Sequence, residues 1–279
     1  MKKVFLTSLI IFATVSFVIC GCFLFNKSDS VYGCVEIDGK KMGAHVAGSG
    51  DKTIVMLSGW GTDSPIDDFY PVWKNLSADY KVVVLEYFGY SGNDVTEKER
   101  SNENMVEEIR AALKKLNINP PYILMPHSMS GLYSLHYANK YPSEVLGIIG
   151  IDMSLPQKQL ERWSKETFEN TKEDINAQKL NVSVLNQWNA FYSNSQKLEN
   201  VKYPVNLPVL ALLATEQVDS VDKMIKSKEM KTSWVEINNA MVTNPEIQKI
   251  KVLNGTHNNF IHDQSSTITN LSKEFIENI

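Results

Sequence analysis

The chain has 279 residues, with 28 Lys+Arg nearly balancing 32 Asp+Glu for a net charge of -4. A length in that range fits one large α/β domain or two small ones, and 43% hydrophobic residues exclude wholesale disorder. The charge balance supplies no concentrated basic face and argues against a nucleic-acid partner, while three Cys are too few for a disulfide scaffold.

The first segment stands apart from the fold. Lys2 and Lys3 precede an apolar run over 4–25, long enough at roughly 20 residues to cross a bilayer as a helix. The lysines favour a cytoplasmic start, which places the rest of the chain outside the cytoplasm. Residues 1–30 therefore read as an uncleaved membrane anchor and linker. A second reading is a lipoprotein leader, because Ile19-Cys20-Gly21-Cys22 resembles the bacterial lipidation pattern, with Cys22 as the modified residue. A third, ordinary secretion, stays open. The body is 31–279.

From residue 31 strand-like and helix-like patterns alternate, as expected of a mainly parallel sheet covered by helices. Residues 34–38 and 42–47 read as a hairpin, with Cys34 a free thiol on its first strand. A short strand is expected over 53–57, a helix over 65–79 and a strand buried on both faces over 82–85. Residues 102–116 form an amphipathic helix with Met105, Ile109, Ala112, Leu113 and Leu116 on one face. Strands over 122–125 and 145–151 flank a helix over 132–141. Residues 156–206 are polar and helix-prone, and read as a helical cap inserted over the sheet. Trp163, Phe168, Trp188, Phe191 and Tyr192 lie in it, the last three grouped with Leu185 as a candidate acyl pocket. A strand over 208–214, a helix within 221–240, a strand over 250–253 and a helix over 266–279 complete the chain.

The chemistry begins at Pro126-His127-Ser128-Met129-Ser130-Gly131, between an apolar strand and a helix. A hydroxyl on such a turn stands beside the free N–H groups of the helix start, which can stabilise an oxyanion. The expected frame is G-x-S-x-G. Here Pro126 and Ser130 occupy the small-residue positions: Ser130 is small enough, and Pro126 is a departure that a strand end tolerates.

His127-Ser128-Met129 after Ile123-Leu124-Met125 resembles the nucleophile elbow of the α/β-hydrolase family. Other motifs agree in order. Ser58-Gly59-Trp60-Gly61 looks like the family's His-Gly oxyanion loop with Ser58 in place of His, and Glu86–Gly92 resembles its Gly-rich bend after the next strand. Asn254-Gly255-Thr256-His257, after the last strand, looks like the loop carrying the catalytic His. The resemblance implies an α/β-hydrolase fold and a serine hydrolase. Ser128 is then the nucleophile and His257 the base, with the backbone N–H groups of Met129 and Trp60 forming the oxyanion hole. Gly61 would let the loop approach closely.

Three positions compete for the triad acid. Asp152, at the end of the strand over 145–151, suits a rigid carboxylate orienting an imidazole; Glu216 and Asp219 follow the next strand, near the family's commoner location at Gln217. His45, His136 and His262 read as structural or solvated, as does His127, with its side chain turned away from that of Ser128. The histidines lack metal-ligand spacing such as H-E-x-x-H, which argues against zinc hydrolysis, and no metal or cofactor is expected. The expected activity is cleavage of a carboxylic ester or related acyl substrate, such as a lipid, fatty ester or other small acylated compound, through an acyl-enzyme. The alternatives are a catalytically silent binding protein of the same fold and an acyltransferase using the same Ser128. Natural substrate and oligomeric state are left open by the residues.

Overall fold

The computed structural model describes residues 30–157, 160, 165–216 and 234–279. Its core is an eight-stranded sheet in the order β1-β2-β4-β3-β5-β6-β7-β8. The strands are β1 (Ser30–Ile37), β2 (Lys40–Ala47), β3 (Thr53–Leu57), β4 (Lys81–Glu86), β5 (Tyr122–Pro126), β6 (Val145–Ile151), β7 (Val209–Ala214) and β8 (Gln248–Leu253). β2 runs antiparallel to β1 and β4, and all pairings from β4 to β8 are parallel. This is an α/β-hydrolase fold. The hairpin turns at Asp38-Gly39, both at positive φ (51° and 75°), which suits an Asp-Gly pair in a two-residue loop.

The helices are α1 (Pro65–Leu76), α2 (Asn102–Lys115), α3 (Ser130–Lys140), α4 (Lys165–Asn176), α5 (Val182–Lys197), α6 (Trp234–Met241), α7 (Phe260–Asp263) and α8 (Ser265–Glu277). Local chemistry sets their ends. Ser64 caps α1 through the Asp67 N–H, with Pro65 in its first turn, and Ser101 caps α2 through the Asn104 N–H. α1 stops at Leu76 rather than 79, because the N–H groups of Asp79 and Tyr80 both return to the Leu76 carbonyl. α2 ends at Lys115, one residue short of 116, with Leu116 as its C-cap and Asn117 at a left-handed φ of 56°.

Two apolar layers enclose the sheet. On one face Phe69, Val72 and Leu76 of α1 meet Ile268 and Ile276 of α8. On the other, Met105, Ile109 and Leu113 of α2 and Leu132 and Leu135 of α3 pack with Val184 and Phe191 of α5. Strands β3 and β5 are buried throughout, which leaves functional chemistry to the loops at the C-terminal ends of the parallel strands.

Between β6 and β7 the named elements are the helices α4 and α5, with loops around them. Cys34 is an exposed free thiol on β1. The apolar run over 4–25, Trp163, Gln217, Asp219 and the first part of the helix expected over 221–240 lie outside the described residues. Among the described residues no helix is long and apolar enough to cross a membrane.

Candidate active site

Ser128 follows β5 with a φ of 50°, a left-handed conformation that costs a non-glycine residue of order 1–2 kcal/mol. Neighbouring backbone holds it there. The Ser128 N–H donates to the Ile151 carbonyl at 3.3 Å, and the Ser128 carbonyl accepts from Gly131 N–H at 2.9 Å and Ser154 N–H at 2.7 Å. Pro126 falls in a gap of the β5–β6 pairing, between Leu124–Ile148 and the isolated bridge His127–Ile151, where no proline N–H is needed.

The two positions flanking Ser128 in the motif behave differently from a simple glycine frame. Ser130 is buried and its hydroxyl donates to the Ser58 carbonyl. Its single proton being used there, the Tyr87 hydroxyl donates to Ser130 Oγ, at 2.8 Å. The indispensable small residue is Gly131, where a Cβ would collide with the Ser154 carbonyl and Met153. The site thus shifts by one position the glycine expected from the motif.

His257, 129 residues from Ser128 and beyond β8, places Nε2 at 3.0 Å from Ser128 Oγ. Its Nδ1 stands 2.5 Å from Asp152 Oδ2. With the carboxylate accepting from Nδ1–H, Nε2 carries the lone pair and accepts from the serine hydroxyl. Asp152 is fully buried at the end of β6, and its Oδ1 accepts from the Ala214 N–H at 3.2 Å. Glu216 is exposed, and its N–H donates to the Gly255 carbonyl. Of the acids within the described residues, Asp152 is the one hydrogen-bonded to His257.

The loop after β3 closes the other side. Among the described residues neither the Met129 N–H nor the Trp60 N–H has an intramolecular acceptor. The close approach falls to Gly59 rather than Gly61: a Cβ on Gly59 would lie 3.0 Å from Ser128 Cβ. Gly61 instead supplies a φ of 72°. The Trp60 indole N–H donates to the Val184 carbonyl at 2.8 Å, and its ring meets Trp188 at 4.8 Å between centroids. Trp188 in turn contacts Phe168 and Phe191, and Phe168 stacks on Tyr192, so the expected aromatic group extends to the loop through Trp60.

His127 departs from expectation. Its ring stacks on His257, 5.1 Å between centroids with 28° between planes, instead of turning away from the site. The left-handed backbone at Ser128 breaks strand alternation, so consecutive side chains no longer take opposite faces. The remaining histidines stand elsewhere: His45 packs on Trp73, half-buried His136 lies on α3, and His262 pairs with Asp68 at 3.4 Å. Among the described residues no group of three or more His, Cys, Asp or Glu could hold a metal ion.

Tyrosines beneath the loop were not singled out by sequence pattern, although Tyr87 and Tyr90 bracket the Gly89 bend. Burial raises the hydroxyl pKa of Tyr87 and Tyr90 and pushes that of Tyr133 up to about 12, so all three remain neutral hydrogen-bonding groups.

A family model described as the alpha/beta hydrolase fold matches residues 52–270, and the chain belongs to that family. Among its relatives, YbdG of Bacillus subtilis (strain 168), an uncharacterized protein, is 36% identical over 157 residues, covering 55% of this chain but only 48% of YbdG. YqjL of the same organism, also uncharacterized, is 22% identical over 82% of this chain and 84% of its own length. The Cif epoxide hydrolase from Acinetobacter nosocomialis shares the fold with a TM-score of 0.68 at 15% identity, covering 90% of both chains. A bacterial membrane phospholipase A does so with a TM-score of 0.58 at 15% identity, over 89% of this chain and 86% of that one. Family and fold support a hydrolase.

Proposed function

We propose that the protein is a serine hydrolase that cleaves a carboxylic ester, or a related small acyl substrate, through an acyl-enzyme on Ser128. The observation that carries this reading is the hydrogen-bonded chain Ser128–His257–Asp152. His257 removes the Ser128 proton as Oγ attacks the acyl carbon, and Asp152 holds the imidazole in the required tautomer and stabilises its charged form. The carbonyl oxygen becomes an oxyanion within reach of the Met129 and Trp60 N–H groups. His257 then protonates the leaving alcohol, and a water activated by the same imidazole releases the acid.

The hydroxyl nucleophile favours acyl over epoxide chemistry, despite the fold likeness to epoxide hydrolases. Opening an epoxide with Ser128 would leave an ether, which water does not cleave under these conditions, whereas a carboxylate nucleophile would leave a hydrolysable ester. The apolar run over 4–25 supports a tethered enzyme whose catalytic body lies outside the cytoplasm. The aromatic group around Trp60 and Trp188 supports an apolar acyl substrate, acylated lipids included.

Fluorophosphonate labelling of the full chain expressed in a bacterial host tests both points. Wild type should label and Ser128→Ala should not, with the labelled protein recovered in the membrane fraction. A folded wild type that hydrolyses none of a chain-length series of nitrophenyl esters and takes no label overturns the enzymatic reading. Labelled protein found in the soluble fraction overturns the tether.

A further inference from the structure

The loop that offers the Trp60 N–H is tied to the insertion helix α5 at two points. One is the Trp60 indole bond to the Val184 carbonyl, at 2.8 Å. The other is a relay: the Gly61 N–H donates to the Tyr90 hydroxyl oxygen at 2.9 Å, and the Tyr90 O–H donates to Gln187 Oε1. Gln187 Nε2 donates onward to the Tyr133 hydroxyl at 3.2 Å, on the helix that begins just after Ser128. One amide side chain on α5 therefore spans the oxyanion loop and the nucleophile helix. Tyr90, Tyr133 and Gln187 are all buried, so water does not compete for these bonds.

The start of α5 is itself clamped. Asn181 Nδ2 donates to the Gly89 carbonyl at 2.7 Å, and Ser183 Oγ accepts from Thr96 N–H at 2.6 Å while donating to the Thr96 carbonyl at 3.1 Å. Helix and loop thus share one frame built on the bend after β4. We infer that Tyr90 and Gln187 are positioning residues: they let α5 set the backbone of the oxyanion loop, and with it the aim of the Trp60 N–H. This rests on the acyl-enzyme reading of Ser128. Positioning of this kind matters because a donor misplaced by about 1 Å loses roughly 10²-fold in rate.

The test compares Tyr90→Phe and Gln187→Met with wild type. Tyr137→Phe is the control, removing a buried hydroxyl near the C-terminal end of α3 that donates to Glu144. Expected for Tyr90→Phe and Gln187→Met is a fall in kcat on a nitrophenyl ester of about 10- to 100-fold with KM within about twofold. Affinity for n-butylboronic acid, which forms a tetrahedral adduct with a serine hydroxyl, should fall by the same factor, and amide exchange over 58–62 should quicken. Tyr137→Phe should move none of these. Retention of kcat and boronate affinity within twofold in both variants of an active enzyme overturns the inference. If wild type itself neither labels nor turns over, the acyl-enzyme reading has failed instead, and unchanged amide exchange over 58–62 in both variants then overturns the structural link independently.

Discussion

Ser128 and Asp152 hold each other in strained backbone. Both have positive φ, 50° and 39°, at the ends of the neighbouring strands β5 and β6. The Ser128 N–H donates to the carbonyl of Ile151, one residue before Asp152, and the Ser128 carbonyl accepts from the N–H of Ser154, two residues after it. Two residues that are individually disfavoured by of order 1–2 kcal/mol are thereby locked by one shared set of backbone bonds. The proposed nucleophile and the carboxylate then lie on opposite sides of the His257 imidazole.

This arrangement separates Asp152 from Glu216. Asp152→Asn retains shape but cannot hold the same imidazole tautomer, and kcat should fall about 10³- to 10⁴-fold. Glu216→Gln should stay within about twofold of wild type. Steady-state kinetics on a nitrophenyl ester checks the pair, and the reverse ranking would remove Asp152 from the mechanism.

Gly59 supplies a prediction about approach. A methyl group on it would stand 3.0 Å from Ser128 Cβ and 3.3 Å from His127 Nδ1, tighter than ordinary packing. Gly59 is buried, but it lies on the loop after β3 and outside the two apolar layers, so Gly59→Ala should displace the loop instead of unfolding the protein. We expect kcat/KM to fall about 10- to 100-fold with the melting temperature changed by only a few degrees. Unaltered kcat/KM would show that the loop tolerates the added methyl.

His45 makes a prediction about acid stability. It is buried in β2 against Trp73, with ring centroids 4.4 Å apart, and neither ring nitrogen has a partner among the described residues. Burial lowers its pKa, since the charged form is disfavoured. The folded protein therefore keeps this contribution above the ordinary histidine value of about 6.5, and loses it as pH falls from there through the lowered value. His136 shifts in the same direction for the same reason. Between pH 7.5 and 5.0 the urea midpoint of wild type should fall further than that of His45→Leu. Equal falls would assign the acid sensitivity elsewhere.

Much of the fold is legible in the sequence. The bounds of β3 and β6 were read directly, because uninterrupted apolar runs between turn residues have few alternatives. Helix ends were less so: α1 closes three residues short of the reading, where backbone N–H groups fold back on Leu76. Ser128 and His257 were marked by where they fall relative to strands. The position of His127 does not follow from strand alternation, because that alternation ends where Ser128 turns left-handed. Gln187 carried no local signal at all, being one polar residue on the buried side of a polar helix.

Order along the chain was enough to specify a parallel sheet, a hydroxyl at the end of its central strand and an imidazole beyond its last one. Those features are local: hydrophobic periodicity and turn chemistry act over a few residues. Which carboxylate meets His257, the ring stacked on it and the bonds that tie down the loop after β3 were decided only by folding. Each depends on side chains far apart in sequence, such as Asp152 and His257, 105 positions apart, and packing alone brings them within a hydrogen bond.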